Sequence, residues 1–587
     1  LFSREAEWSF LFRRAIDWES ILPLQRPEFS GPDAPKLCEE LLAATESWAG
    51  GSLSKRAREL DLAGPGRVEG GGVVLSAPME STIGEARDLG FFGFSVAPEH
   101  GGLGAPFLVP MLSLAQVARG CLATSSQLAL YVGIPDMLER FCERDERARL
   151  IPRVVRGEIG GSMCLTEPDA GSDVGALRTT ARALGDGAYA LQGTKRFITN
   201  GGGGLGLVLA RIEGAPAGLE GVSLFLCEEL IDGRRNFEVT RLEEKMGQRG
   251  SSVCEVVYDG SRAKLVGEAG GGFRIMLHLM NAARITVGLQ SLGGLEAAIG
   301  GARAYASGRK QFGRPIAELP LMRRNLEDWE TEVDAFRALM FDTLSWFEVF
   351  QALDLRERRA ARGEGAALAG AEALKLRRAR SVARARTPLV KFHGAEACTA
   401  LSQRAIQAMG GYGMMCEYDL ERIHRDSFGN LLYEGTSQIQ ALMAMKDFVK
   451  DASRDPAKFV QALVGSHPLA RLGSSRVARA AAEARYELRK NFALLLIRSA
   501  APGGRESESG FLNALSHAAR GGLDDPGRLE RLMIHAETLC QALADVATLE
   551  VLARHARRDE ERSELFWRFH RLSAPRLAGI HADWRSG

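Results

Sequence analysis

Val253-Cys254-Glu255-Val256-Val257-Tyr258 is an alternating apolar run, and like Ala188-Tyr189-Ala190-Leu191 and Leu207-Val208-Leu209-Ala210 it sits between turn residues, in a stretch from Ser162 to about Val266. Short alternating or continuous apolar runs of this kind predict strands, and their close succession predicts a small antiparallel β domain. On both sides the apolar period changes to about 3.6 residues. Residues 1 to about 160 read as an all-helical domain broken by Gly64-Pro65-Gly66, Gly70-Gly71-Gly72 and Pro98-Glu99-His100-Gly101-Gly102. From Gly272 to about Lys450, long helical segments such as Ile275 to Ala306 and Met322 to Ala352, with an interruption at Arg356 to Gly370, predict a helical bundle. Residues 451–587 are Ala/Arg-rich and helical in pattern, with a break at Ala501-Pro502-Gly503-Gly504. The expected fold is therefore mainly α with a small antiparallel β domain: a helical N-terminal domain (1–160), a sandwich- or barrel-like middle domain (161–268), a helical bundle (269–450) and a C-terminal helical extension (451–587).

A chain of 587 residues is too long for one core, which agrees with this division. Its 75 basic and 74 acidic residues leave almost no net field, so composition gives no bulk attraction to nucleic acid or an anionic membrane. The nine cysteines are scattered and form no Cys-x-x-Cys pair, and the ten histidines form no ligand pattern; the thiols read as reduced and mostly buried, and no metal is expected. No run of eighteen apolar residues occurs, and the first residues lack the basic-then-apolar order of a secretory signal. The expected location is cytoplasmic.

Three signals mislead. Gly201-Gly202-Gly203-Gly204-Leu205-Gly206 satisfies G-x-G-x-x-G, but a strand-like run follows it where a phosphate site needs a helix N-terminus, so a flexible inter-strand loop is the better reading. His424-Arg425-Asp426 resembles a kinase catalytic loop, yet Asn430 falls one residue early and there is no Asp-Phe-Gly. The basic stretch Lys375 to Arg386 reads as a solvated helix face in preference to a nucleic-acid surface.

Four runs are hard to explain as packing alone: Met163-Cys164-Leu165-Thr166-Glu167-Pro168-Asp169-Ala170-Gly171-Ser172-Asp173, Arg309-Lys310-Gln311-Phe312-Gly313-Arg314-Pro315, Gln407-Ala408-Met409-Gly410-Gly411-Tyr412-Gly413 and Tyr433-Glu434-Gly435-Thr436-Ser437-Gln438. In order and approximate spacing they resemble the motifs of the acyl-CoA dehydrogenase family, over about residues 85 to 450. The resemblance implies FAD-dependent α,β-dehydrogenation of an acyl-CoA thioester to the trans-2-enoyl-CoA, a step of fatty acid β-oxidation. Glu434 takes the α-proton, the flavin takes the β-hydride, and electrons pass to an electron-transfer flavoprotein. The residue types suit the reaction: a carboxylate in a dry pocket gains basicity, no side chain can accept a hydride, and Gly435 lets backbone approach the substrate.

By the same resemblance Met163, Leu165 and Thr166 lie along the flavin, and Gly171 and Ser172 meet cofactor phosphate and the substrate's pantetheine arm. Phe197, Ile198 and Thr199 flank the isoalloxazine, and Thr436 and Gln438 bind the adenosine side. Family members form dimers or tetramers in which Arg309, Phe312, Gln407, Gly410 and Gly411 reach the FAD of a neighbouring subunit. Arg284 and Asn281 mark the substrate side. Some relatives carry their catalytic Glu just before the Arg matched by Arg284; here that position is Ala283, which leaves Glu434 as the base. Asn281 stands where many relatives have an Asp that contacts coenzyme A, and Leu319-Pro320 replaces an aromatic residue and Gln near the flavin.

These departures and the extension resemble a long-form bacterial branch acting on long-chain and methylthio-propionyl thioesters. For the extension, packing on the bundle or a second subunit through Leu529 to Ala556 is preferred over membrane contact through Arg554, Arg557, Arg558, Arg562, Arg568 and Arg571, which Asp559, Glu560, Glu561 and Glu564 dilute. Two alternatives stand beside the leading reading: a dehydrogenase of acyl-carrier-protein thioesters, raised by Asn281, and a flavin-bearing, DNA-associated alkylation-response homologue.

Overall fold

The computed structural model describes residues 5–454, 456–467, 474–500 and 526–586; the break read at Ala501 to Gly504 lies outside them. The N-terminal region is helical, with α1 (Leu108–Gly120) and α2 (Leu122–Phe141) at its centre. It is not all-helical. Strands β1 (Arg67–Glu69) and β2 (Gly72–Val74) form a hairpin whose turn uses Gly70 and Gly71 at φ 55° and 74°. The glycine run read as a helix breaker is thus a β-turn, and Val68 and Val73 pack against the core of the middle domain.

The middle sheet contains β3 (Ser162–Cys164), β4 (Thr180–Ala183), β5 (Ala188–Thr199), β6 (Leu205–Ile212) and β7 (Val222–Glu228); a short β8–β9 pair (Leu230–Ile231, Arg234–Arg235) stands apart, and β10 (Glu238–Leu242) and β11 (Val253–Val266) complete the sheet. It is mixed and not purely antiparallel, because β3 and β4 both pair parallel with β6. β7 pairs with both β6 and β11, so the path β11-β5-β4-β6-β7 closes on itself as a barrel does. Its interior is a separate cluster that includes Cys164, Val208, Phe225, Cys254 and Tyr258. The turn between β5 and β6 is pinned, not loose: the Gly203 N–H donates to Asn200 O at 2.9 Å, Gly160 N–H to Gly203 O at 2.7 Å, and Gly204 N–H to Glu229 Oε2 at 3.0 Å.

The bundle follows as α3 (Gly272–Gly308), α4 (Pro320–Ala361), α5 (Gly370–Met409), α6 (Leu420–Leu432) and α7 (Ser437–Arg454). Pro320 opens α4, where its missing N–H costs no intrahelical bond. In the extension, α8 (Ala536–Arg558) packs on α4, α5 and α7, and α9 (Ser563–Ser586) packs on α4 and α8. Five of the six arginines that membrane contact would use are engaged within the fold: Arg554, Arg562 and Arg571 pair with Asp342, Glu7 and Asp328, and Arg558 and Arg568 donate to main-chain carbonyls, while Arg557 is exposed. Among the described residues no helix is long and apolar enough to cross a membrane. Eight cysteines are buried and unpaired, and Cys416 is exposed.

Glu348 of α4 ties these layers together. Its Oε2 accepts from Leu108 N at 2.7 Å and its Oε1 from Gln25 Nε2 at 3.0 Å. Burial pushes its carboxyl up to about 7, against the hydrogen bonds that favour the charged form. A carboxyl raised on folding costs stability as pH climbs from its unfolded value to the folded one, and the full cost is present above the latter. Glu348→Gln, with the Gln25 amide flipped to accept, is expected to stabilise the protein at pH 8 by on the order of 2 kcal/mol and to change little at pH 4.5. Paired urea unfolding curves at the two pH values check this.

Candidate active site

Glu434 stands in the loop between α6 and α7. It adopts φ 60°, a left-handed conformation that costs a non-glycine residue on the order of 1 kcal/mol or more, and Gly435 follows at φ 90°. A side chain at 435 would meet Gln440 Nε2 at 2.8 Å. Three hydrogen bonds hold this backbone: Arg284 Nε donates to Glu434 O at 3.2 Å, and Gln440 Nε2 donates to Glu434 O at 2.9 Å and Gly435 O at 3.2 Å. Arg284 is itself oriented by Asn281, whose Oδ1 accepts from Nη1 at 3.0 Å.

Behind the loop, Tyr433 Oη donates to Gln290 Oε1 at 2.9 Å and accepts from Gln248 Nε2 at 3.2 Å. Gln248 accepts from Ser126 Oγ at 2.8 Å, and neighbouring Gln127 donates to Asn200 Oδ1 at 2.7 Å. Helices α2 and α3, the sheet and the loop thus meet in one buried polar network, which fixes a single arrangement of the three regions.

The Glu434 residue is half-buried, but its Oε2 is cut off from solvent and has no hydrogen-bond partner. Burial pushes its carboxyl up to about 7, while the charges of Arg284 and Lys391 pull the other way. Such a group is poised to exchange a proton near neutral pH.

The proposed flavin-side residues come from the ends of β3 and β5. Arg196 N–H donates to Thr166 O at 2.8 Å, and Lys195 Nζ donates to Leu165 O at 3.0 Å and to Glu167 Oε1 at 2.8 Å. This lays Leu165 and Thr166 along Phe197, which is 60% exposed at φ 59°. Met163 and Thr199 are half-buried, and Gly171 and Ser172 are exposed. Ile198 differs from expectation: it is 2% exposed and its side chain belongs to the sheet core, leaving its main chain for any cofactor contact. An open apolar face bordered by small residues fits a flat aromatic ring.

Thr436 and Gln438 are already engaged. Thr436 Oγ1 accepts from Ile439 N at 3.5 Å at the start of α7, and Gln438 Nε2 donates to Glu537 of the extension at 2.8 Å.

The remaining expected residues form a second group at the far end of the bundle. Phe312, 90% exposed, tops the hairpin β12 (Lys310–Gln311) and β13 (Arg314–Pro315), and the exposed Arg309 lies over the Tyr412 ring at 5.7 Å. Gln407 lines a cleft of about 500 Å³ with Met322, Asn325, Trp329, Arg404 and Ala408, and nothing fills the space beside Gly410 and Gly411. Along α3, Arg309 lies about 37 Å from Arg284 at 1.5 Å per residue. One chain therefore cannot bring both groups to the same end of a cofactor. Arg309 has no carboxylate within ion-pair reach among the described residues.

Family models of the acyl-CoA dehydrogenase N-terminal, middle and C-terminal domains match residues 70–158, 162–261, and 270–353 with 355–448. The chain belongs to the acyl-CoA dehydrogenase family. Membership makes it a flavoprotein oxidoreductase with FAD as its cofactor.

Among its relatives, the acryloyl-CoA reductase (NADH) of Anaerotignum propionicum is 31% identical over 62% of this chain and 85% of its own. The 3-methylmercaptopropionyl-CoA dehydrogenase of Ruegeria pomeroyi is 33% identical over 71% of this chain and 72% of its own. A crystal structure of an acyl-CoA dehydrogenase complexed with FAD from Bacillus anthracis shares the fold over 98% of this chain and 91% of its own, with a TM-score of 0.73 and 21% identity. The fold likeness therefore takes in the extension, which lies beyond the family-model matches.

Sequence reading missed Gln440, Lys391, the Ser126–Gln248–Gln290 network and the Glu167–Lys195 pair around the candidate site. Glu167 lies inside the Met163–Asp173 run, but its partner Lys195 is 28 residues away on β5. Lys391 had one available signal, a single cation within the apolar run Leu389-Val390-Lys391-Phe392.

Proposed function

We propose that this chain oxidises a saturated acyl-CoA thioester to its trans-2-enoyl-CoA, with Glu434 as the base for the α-proton. The observation that carries this reading is the Glu434 carboxylate on a loop fixed by Arg284 and Gln440, its Oε2 cut off from solvent and without a hydrogen-bond partner. Bound FAD supplies the acceptor for the hydride that leaves the β-carbon. The chain's own part is to hold the base, exclude water from it and offer the Glu434 N–H to the thioester carbonyl as negative charge develops there. Met163, Leu165, Thr166, Phe197 and Thr199 would hold the ring, Gly171 and Ser172 the phosphate and pantetheine. Arg309, Phe312, Gln407, Gly410 and Gly411 would serve the cofactor of a second subunit in a homodimer or homotetramer. An electron-transfer flavoprotein is the proposed acceptor of the electrons.

Two observations weigh against the alternatives. Asn281 is used in orienting Arg284, so its presence gives no separate support to a carrier-protein substrate. Half of the basic row of α5 is paired: Arg380 with Asp354 and Glu357, Arg384 with Asp447 and Arg386 with Asp342, while Lys375 donates to Ser20 O and Arg378 lies over the Trp346 ring. These pairings reduce the charge the row could offer DNA.

Anaerobic titration of the yellow protein with acyl-CoAs of graded length and branching, and with matched carrier-protein thioesters, tests the proposal. Bleaching of the oxidised flavin band by a CoA thioester is the expected result; no bleaching by any thioester overturns it. Because the base acts in its deprotonated form, kcat/KM is expected to rise with pH through an apparent pKa of about 7 and to level above it. A pH–rate profile locates that limb.

A further inference from the structure

Lys391 is a fully buried lysine inside a run of buried residues on α5. Its Nζ donates to Leu431 O at 3.2 Å, in the last turn of α6 and three residues before Glu434. Among the described residues no carboxylate comes within ion-pair distance of it. A buried cation without a contacting counter-ion is costly to hold. The carboxylates whose fields reach it are Glu434 and Glu396, opposed by the charge of Arg284; Glu396 accepts from Ser437 Oγ at the start of α7. Arg284, from α3, is the other cation that faces Glu434, and Tyr433 adjoins it in the chain.

Resting on the reading of Glu434 as the base, we propose that Lys391 is a positioning residue with two separable tasks: its hydrogen bond to Leu431 O fixes the end of α6 from which the catalytic loop springs, and its charge keeps Glu434 ionised in the pH range where the enzyme works. Arg284 adds charge of the same sign but is tied to the loop main chain and to Asn281, so the two cations bracket the base from different helices. Burial draws the Lys391 ammonium down to about 8, against the fields of Glu434 and Glu396, so it carries its charge across the range in which Glu434 loses its proton.

The test separates charge from hydrogen bond. Lys391→Gln keeps a donor for Leu431 O and loses the charge; Lys391→Arg keeps the charge. With FAD occupancy confirmed by absorbance, the acid limb of kcat/KM is expected to move up by about one pH unit in Lys391→Gln and to stay in place in Lys391→Arg. A residue that only supports the fold would lower activity and leave the limb unmoved, and that result overturns the proposal. If Gln at 391 prevents folding, Lys391→Met, whose unbranched chain fills similar space, is read in the same way. The two readings fail differently: a Glu434→Gln protein that keeps activity and its acid limb refutes the base itself, whereas an inactive Glu434→Gln with an unmoved limb in Lys391→Gln refutes Lys391 alone.

Discussion

Glu434→Gln is expected to reduce turnover on every accepted thioester by roughly 10²–10⁴-fold while FAD content stays close to that of the unaltered protein. The amide has nearly the shape of the carboxylate but cannot take up the α-proton. Its Oε2 position makes no hydrogen bond, so the exchange breaks none there. The loop is held through the main-chain carbonyls of residues 434 and 435 by Arg284 and Gln440, contacts that the side-chain change leaves intact. Position 283, next to Arg284, is Ala and can offer no substitute base. Steady-state kcat and the rate of anaerobic flavin bleaching both read the loss; a variant that kept a tenth of the rate would point to another base.

Lys195→Met is expected to destabilise the protein by about 3–5 kcal/mol and to release FAD, because it leaves Glu167 charged and unpaired in the interior. Lys195 is 0% and Glu167 6% exposed, and they pair at 2.8 Å. Burial alone would raise the Glu167 carboxyl, but the Lys195 charge and hydrogen bonds from Lys195, Thr179 and Arg178 bring it below its ordinary value, so it stays ionised. The same ammonium holds Leu165 O, and Glu167 anchors the main chain at Arg178 and Thr179. Its loss would free the segment that presents Leu165 and Thr166. Adding Glu167→Gln is expected to recover part of the stability, since no unpaired charge then remains but the amide can accept from only one of Arg178 N and Thr179 N. Urea unfolding and the fluorescence of released FAD measure the two effects.

Much of this architecture could be read from the chain because period and punctuation are local. The switch from helical to strand period falls between Val155, the end of a helix, and Ser162, the start of β3, and it reverses between Val266 and Gly272. What escaped reading depends on partners distant in sequence. The β1–β2 hairpin looked like a helix break because three-residue strands carry almost no period, and the parallel pairings of β3 and β4 with β6 are fixed by barrel closure. At the site, the motif residues pointed to Glu434 and to the loop proposed for the flavin. Gln440 was passed over because its amide turns back on its own loop, and Ile198 is left with only its main chain for a cofactor because strand alternation turns its side chain inward, while Phe197 stands in β5 at positive φ.

The role of Glu434 is tested most directly by isolating proton removal from hydride transfer. An acyl-CoA of accepted length with sulfur at the β-position has α-hydrogens to lose but no β-hydride to give. Incubated in D₂O with the FAD-loaded protein, it is expected to exchange its α-hydrogens for deuterium, with no detectable exchange above background in Glu434→Gln that still holds FAD. Exchange at the unaltered rate in that variant would contradict the account.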